Sequence, residues 1–391
     1  MNSRMVRRGC AFLFISVLSS AYAMPAKAGG FSRDEANTDI LFDDARFTTE
    51  ASVAYVSPNR SYSKLMGQSV HESAYSDSFF TPNVSFGARL NDNFSCAFTY
   101  AKPFGGEGTY SEAAQNAELV TAAANGDPLP NPTSHMKVSS DEYGGTCDVH
   151  AGVGPGRLHF IGGLFVESFS YREDTLIGSV KLKDDGELGY RVGVAYDISE
   201  YALRVELLYR SQVKHQGDGT FTASDFGESV GIPATLPAFG KGTLPQSLKL
   251  YAQTGVAPGW LVYGSATWTD WSVLPDFSYT VTNLGTSRKI FNYTDGYTLQ
   301  LGVGHDFNDK FSGTANITWD EGVGTGADIT TDTWTLGLGV QYKAKVGTVG
   351  VGAAISYLTA GKQRVSDGAT YDADAKADWA AAAGLSYKLS F

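Results

Sequence analysis

The chain has 391 residues, with 45 Gly, 21 Tyr and 22 Phe against 5 Met and 3 Cys. Glycine and aromatics in that excess suit many strands and tight turns and argue against a helix bundle. A formal net charge of −11 makes nucleic acid an unsuitable partner, because phosphate recognition needs a basic face.

Residues 1–28 read as an export signal. Arg4, Arg7 and Arg8 make a basic start, Cys10 to Ala23 is an apolar run of 14, and Ala21-Tyr22-Ala23 and Ala26-Lys27-Ala28 are small-x-small cleavage sites. Cleavage is expected after Ala28, with Ala23 as the alternative. The apolar run is short of the roughly 20 residues that a spanning helix requires, and no later stretch approaches that length. The expected location is therefore beyond the inner membrane. The range 29–45 follows as a short N-terminal segment before the first strand. Its roughly 17 residues, fully extended, reach on the order of 55 Å, enough to enter a lumen as one strand but not to fill it as a compact plug.

From 46 to 391 the alternation of apolar and small or polar residues hardly stops. Strands are predicted at 47–57, 78–90, 93–100, 136–152, 157–171, 187–198, 201–213, 246–256, 260–281, 290–307, 310–319, 331–343, 348–359 and a last stretch ending on Phe391. Tight turns at 91–93, 153–156, 199–200, 257–259, 308–309 and 344–347 alternate with longer loops at 58–77, 101–135, 172–186, 214–245, 282–289, 320–330 and 360–375. Short turns on one side and long loops on the other are the pattern of an outer-membrane barrel, with the long loops external. In the seventh segment Tyr201, Leu203, Val205, Leu207 and Tyr209 share one parity, while Arg204, Glu206 and Arg210 share the other. A soluble sandwich cannot hide three charges on its inner face, whereas a polar lumen can. The expected fold is all-β: a 14-stranded antiparallel transmembrane β-barrel with a short N-terminal luminal segment. Lipid and lipopolysaccharide are its surroundings.

The stretch "TLPQSLKLYAQTGVAPGWLVYGSATWTDWS" (243–272), with Trp268 and Trp271, resembles the long-chain fatty-acid transporter (FadL-type) family. The likeness continues through "DGYTLQLGVGHDFNDKFS" (295–312) and "SYLTAGKQRVS" (356–366) to "LSYKLSF". The resemblance implies a monomeric barrel whose lumen is blocked by an N-terminal hatch. It further implies passage of hydrophobic molecules, long-chain fatty acids above all, often with sideways release into the bilayer. Gly30-Phe31 is similar to the opening of that hatch, although the family's Asn-Pro-Ala stretch is missing. The terminal Phe391 resembles the signal read by the barrel-assembly machinery.

The loops at 101–135 and 214–245 are candidates for an external groove, the second through apolar Val230, Ile232, Leu236 and Phe239. Arg204, Arg210 and Lys249 have lumen parity and suit a carboxylate head group, while Glu206 is positioned to neutralise them instead. A sideways exit would use Pro82 in the second strand and Gly144-Gly145 in the fourth to loosen the wall around the third, but the favoured reading is that Pro82 merely lies near a strand end. Cys96 and Cys147 share lipid-facing parity on adjacent strands, which permits a cross-strand disulfide in an oxidising compartment. "GESVG" (227–231) matches a nucleophile-elbow pattern but lacks its strand-to-helix setting, so no enzyme is expected. The six His show no ligand spacing, although His150 and His159 approach one another across a turn, and neither metal nor cofactor is expected. Two other classes stay open: a passive aqueous porin, and an outer-membrane enzyme or surface interaction protein.

Overall fold

The computed structural model describes residues 29–391, so the export-signal reading of 1–28 lies outside the described residues. Fourteen antiparallel strands close into a barrel. In chain order they are β1 (Phe47–Ser57), β2 (Phe79–Asn91), β3 (Phe94–Ala101), β4 (Thr133–Val153), β5 (Gly156–Thr175), β6 (Gly178–Ile198) and β7 (Leu203–Arg210). They continue with β8 (Ser247–Ala257), β9 (Trp260–Thr269), β10 (Gly296–Asp306), β11 (Phe311–Asp320), β12 (Thr333–Lys343), β13 (Thr348–Leu358) and β14 (Asp378–Ser390). The ring is completed by β14 on β1, in register from Thr48↔Ser390 to Ser57↔Ala381.

Side-chain placement follows strand parity. Phe160, Leu164, Leu188 and Leu301 are exposed on the outer face, while Glu142, Asp148, Glu167, Arg191, Arg204 and Glu206 are buried inside. That is the reverse of a water-soluble protein and the arrangement a lipid solvent selects. Cys96 and Cys147, opposite each other on β3 and β4, are joined as a disulfide.

The structure departs from the sequence expectation mainly on the external side. The predicted loop at 172–186 is strand: β5 and β6 stay paired to Thr175↔Gly178, and β4, β5 and β6 reach 21, 20 and 21 residues. The predicted loop at 214–245 is a hairpin, Val213–Ala223 and Thr235–Leu244, with a short helix Asp225–Ser229 at its tip. This hairpin pairs with the upper part of β6 on one side and with Asp276–Val281 on the other. The long predicted strand 260–281 stops at Thr269, turns at Trp271–Val273 and resumes as Asp276–Val281, which belongs to an external hairpin with Gly285–Ile290. The loop 101–135 carries a strand Gly105–Thr109 and a helix α1 (Glu112–Ala124), whose first turn is capped by the Ser111 hydroxyl accepting from Ala114 N at 3.1 Å. Loops 58–77 and 360–375 pair with each other in a four-stranded sheet.

Gly144-Gly145 interrupts nothing: Gly144 pairs with Thr99 and with Phe165 in continuous ladders. Gly144 instead makes room inside, since a Cβ there would lie 3.0 Å from Thr99 Oγ1 and 3.4 Å from Phe165 Cβ. The break lies at Lys102-Pro103-Phe104. The β2–β3 ladder ends at Val84↔Tyr100, and Phe104 turns into the interior, packing on Trp271. Pro103 has no N–H to continue the ladder.

The lipid-facing assignment has a direct check. Leu301→Arg, on the outer face of β10, should lower the unfolding free energy of the protein in lipid vesicles, read from urea titration, by about 2–4 kcal/mol. Non-reducing peptide mapping should recover Cys96 and Cys147 in one linked pair, and free thiols at both positions would contradict the structure.

Candidate functional site

The segment 29–46 runs down the inside of the barrel. At its top, Ser32 bridges antiparallel to Phe104, Arg33 N donates to Pro103 O at 2.8 Å, and Gly105 N donates to Phe31 O at 2.7 Å. The segment therefore hydrogen-bonds to the chain just where β3 leaves the wall. Phe31 inserts among Trp271, Phe291 and Tyr293, with ring centroids at 6.0, 5.3 and 6.2 Å. Gly30 has φ +52°, and a Cβ on it would come within 2.6 Å of the Trp271 ring. Two features singled out in the sequence, Gly30-Phe31 and Trp271, are thus parts of one contact. Trp268 lies apart from it, donating from Nε1 to Asp295 Oδ2 at 2.9 Å.

Below Phe31 the segment is fixed by charge. Lys249 Nζ lies 2.8 Å from Glu35 Oε2, Arg204 Nη2 lies 2.7 Å from Asp39 Oδ1, and Lys388 Nζ lies 2.8 Å from Asp43 Oδ2. Asn83 donates to Asp34 Oδ2 at 2.9 Å and to Glu35 O at 2.7 Å. Arg210 is engaged elsewhere, 2.9 Å from Glu142 and 2.7 Å from Glu167. Each of the three basic residues suggested for a head group thus has a carboxylate from the chain itself, and two of them, Arg210 and Lys249, line one inner cavity.

Two cavities flank the segment, and Ser32 lines both. The inner one, about 310 Å³, is polar, with Asn37, Tyr251, Gln300 and Asn316 in its wall. The outer one, about 380 Å³, has the rings of Phe31, Tyr62, Tyr75, Phe79, Tyr110 and Phe291 in its wall, together with charged side chains such as Arg33, Arg60, Glu107 and Lys289. Tyr62 stacks on Tyr75 at 4.4 Å and accepts from Tyr371 Oη at 2.9 Å, and burial raises the Tyr62, Tyr75 and Tyr110 phenols so that they stay neutral. None of Val230, Ile232, Leu236 and Phe239 lines either cavity: Ile232 and Leu236 are buried in the external apolar core, while Val230 and Phe239 face outward.

Sequence reasoning missed Arg33. Its Nε donates to Gly105 O at 2.6 Å and its guanidinium lies over the Phe79 ring, but Nη1 is buried with no hydrogen-bond partner among the described residues. Burial lowers its pKa to about 9 against the opposing pull of Glu107, which leaves it charged at neutral pH at the edge of the outer cavity. A lone basic residue among acids in a connecting segment carried no periodicity to mark it. Asp328, also on the outer cavity, is pushed up to about 6 by burial, against hydrogen bonds from Tyr293 and Thr330 that favour its charged form.

With this geometry in place, the comparisons with known proteins are specific. Residues 135–391 match the family model described as outer membrane protein transport protein (OMPP1/FadL/TodX), and the chain belongs to that family. It is 23% identical over 341 residues to the long-chain fatty acid transport protein of Escherichia coli O6:H1, covering 76% of this chain and 73% of that one. In fold it is similar to a Pseudomonas aeruginosa FadL homologue, with a TM-score of 0.69 at 14% identity over 95% of this chain and 100% of the other. It is likewise similar to the Pseudomonas putida toluene transporter TodX, with a TM-score of 0.62 at 15% identity over 94% of this chain and 96% of the other.

The raised Asp328 carboxyl fixes a pH dependence. Its folded form binds a proton that the unfolded chain releases near pH 4, so the stabilisation is full below about pH 4 and is lost as pH rises through about 6. Hydrogen exchange across 321–332, corrected for intrinsic rate, should be slower near pH 5 than near pH 8, and Asp328→Asn should erase the difference.

Proposed function

We propose that this member of the outer-membrane transport family carries small hydrophobic molecules inward through its barrel, with long-chain fatty acids as the first substrate class to test. The observation that carries the reading is the outer cavity of about 380 Å³, walled by aromatic rings and floored by Phe31. Each methylene that leaves water for such a wall gains about 0.8 kcal/mol, so an acyl chain enters without any specific polar contact. Arg33 adds one: a carboxylate reaching the cavity would satisfy its unpartnered Nη1. The curated relative carries fatty acids by name and the structural relative toluene. The charged group at Arg33 favours the former here.

In this reading 29–45 is a hatch held at its upper end by Phe31 against Trp271 and lower down by its acid–base pairs. Residues 1–28 are an export signal, and the mature barrel is a monomer delivered to the outer membrane by the assembly machinery. The β2–β3 ladder ends at Val84, and the 31–33 stretch hydrogen-bonds to the chain that leaves the wall there. Displacement of Phe31 would open a path inward and a path sideways at the same place. A passive aqueous pore is the second reading, favoured by the polar inner cavity. The ion-paired segment across the lumen weighs against it.

In planar bilayers the wild-type protein should show little or no steady conductance, and Gly30→Val, which cannot sit against Trp271, should raise it. A large steady wild-type conductance would make the protein a porin. In cells lacking their own transporter, uptake of a labelled long-chain fatty acid should fall several-fold with Arg33→Met while uptake of toluene is unchanged. Equal loss of both would remove the head-group role of Arg33.

A further inference from the structure

We infer that Asp148, His150 and His159 form a binding site for one divalent transition-metal ion of the zinc class, on the inner wall of the barrel near the short turn between β4 and β5. One donor atom from each residue lies within 4.8 Å of the other two. Asp148 and His150 are two apart on β4 and so share its inner face, and His159 on β5 is the register partner of His150. Strand geometry fixes all three side chains without help from any loop. All three are buried, with Asp148 fully so.

The hydrogen bonding is incomplete in a way that points to a cation. Asp148 Oδ2 lies 2.7 Å from His150 Nδ1 and 2.9 Å from His159 Nδ1, while Asp148 Oδ1 is buried with no hydrogen-bond partner among the described residues. His159 Nε2 lies 2.8 Å from Asp197 Oδ1. His150 Nε2 is likewise buried with no hydrogen-bond partner among the described residues. A buried carboxylate oxygen without a donor, beside two imidazoles of which one has an unused ring nitrogen, calls for a positive charge that a metal ion bound by this group supplies.

The donor set suits this class of ion. One carboxylate and two imidazoles are borderline ligands for Zn²⁺, Co²⁺ or Ni²⁺ and leave a coordination position for water. The surroundings are those of a supported ligand: Asp197 orients His159 through Nε2, and Arg157 grips Asp197 from Nε at 3.0 Å and Nη2 at 2.7 Å. On the lumen side Phe42, from the turn Asp39–Phe42 of the segment inside the barrel, lies against His159 with ring centroids at 5.0 Å. An ion here would therefore sit under the lower end of that segment. Asp77, Glu107 and His135 also gather, but they are only half-buried, and His135 is matched by Glu107 and Asp174.

The test uses the tag-free mature protein in detergent, stripped with chelator, dialysed against limiting ZnCl₂ and measured by elemental mass spectrometry. Wild type should retain one equivalent more than His150→Gln, with both confirmed as folded barrels by heat-modifiable mobility. Asp197→Asn should weaken zinc binding about 10- to 100-fold in a competitive chelator titration while leaving the stoichiometry unchanged. Co²⁺ added in place of zinc should give ligand-field bands that His150→Gln lacks. Equal zinc content in wild type and His150→Gln would overturn the site.

Discussion

Hydrocarbon offers no hydrogen bonds, so every backbone N–H and C=O that faces it must find a partner within the protein. Ring closure of β14 on β1 meets that demand, and most other features are consequences of it. A closed wall has two faces, and with period-two strands the outer must be apolar while the inner is free to be polar. The inner face here holds Glu142, Glu167, Arg191, Arg204 and Arg210, charges that no soluble core of this size would tolerate unpaired. Where the β2–β3 ladder stops, beyond Val84↔Tyr100, another part of the chain supplies hydrogen bonds to the departing strand.

The inner charges set the second tier of structure. Buried ions are costly alone, and the segment inside the barrel supplies carboxylates where the wall supplies bases: Glu35 to Lys249, Asp39 to Arg204, Asp43 to Lys388. Its upper end changes chemistry, from acid–base pairs to a wedge of rings around Phe31. Aromatic contact there is held by shape and area alone, so it can be exchanged for contact with an apolar guest at little net cost. The ionic part has no such substitute. The two halves of one segment thus differ in what holds them.

Strand number, order and facing were legible in the sequence because lipid imposes alternation on every wall strand; the run ending "GLSYKLSF" shows it to the last residue. Beyond the membrane that constraint lapses. Residues 172–186 contain Arg172, Glu173, Lys181, Lys183 and Asp184, a composition that looks like an exposed loop, yet they continue β5 and β6. Pro82 and Gly144-Gly145 are the residues that generic strand rules mark as weak points in the wall; only the packed structure shows Phe165 and Arg191 using the space at Gly144. Pro103 was the informative residue and was passed over as part of a loop. Contacts that join distant stretches, Phe31 with Trp271 or Arg33 with Phe79, leave no local trace, because their logic is a matter of which strands happen to be opposite.

The three long strands β4, β5 and β6 carry about ten residues more than the 9–11 that crossing a bilayer requires. At roughly 3.3 Å per residue that surplus is on the order of 30 Å before tilt, so one side of the rim rises like a chimney wall above the headgroups. A hydrophobic molecule approaching from water on that side meets this wall of protein before it reaches the lipid headgroups.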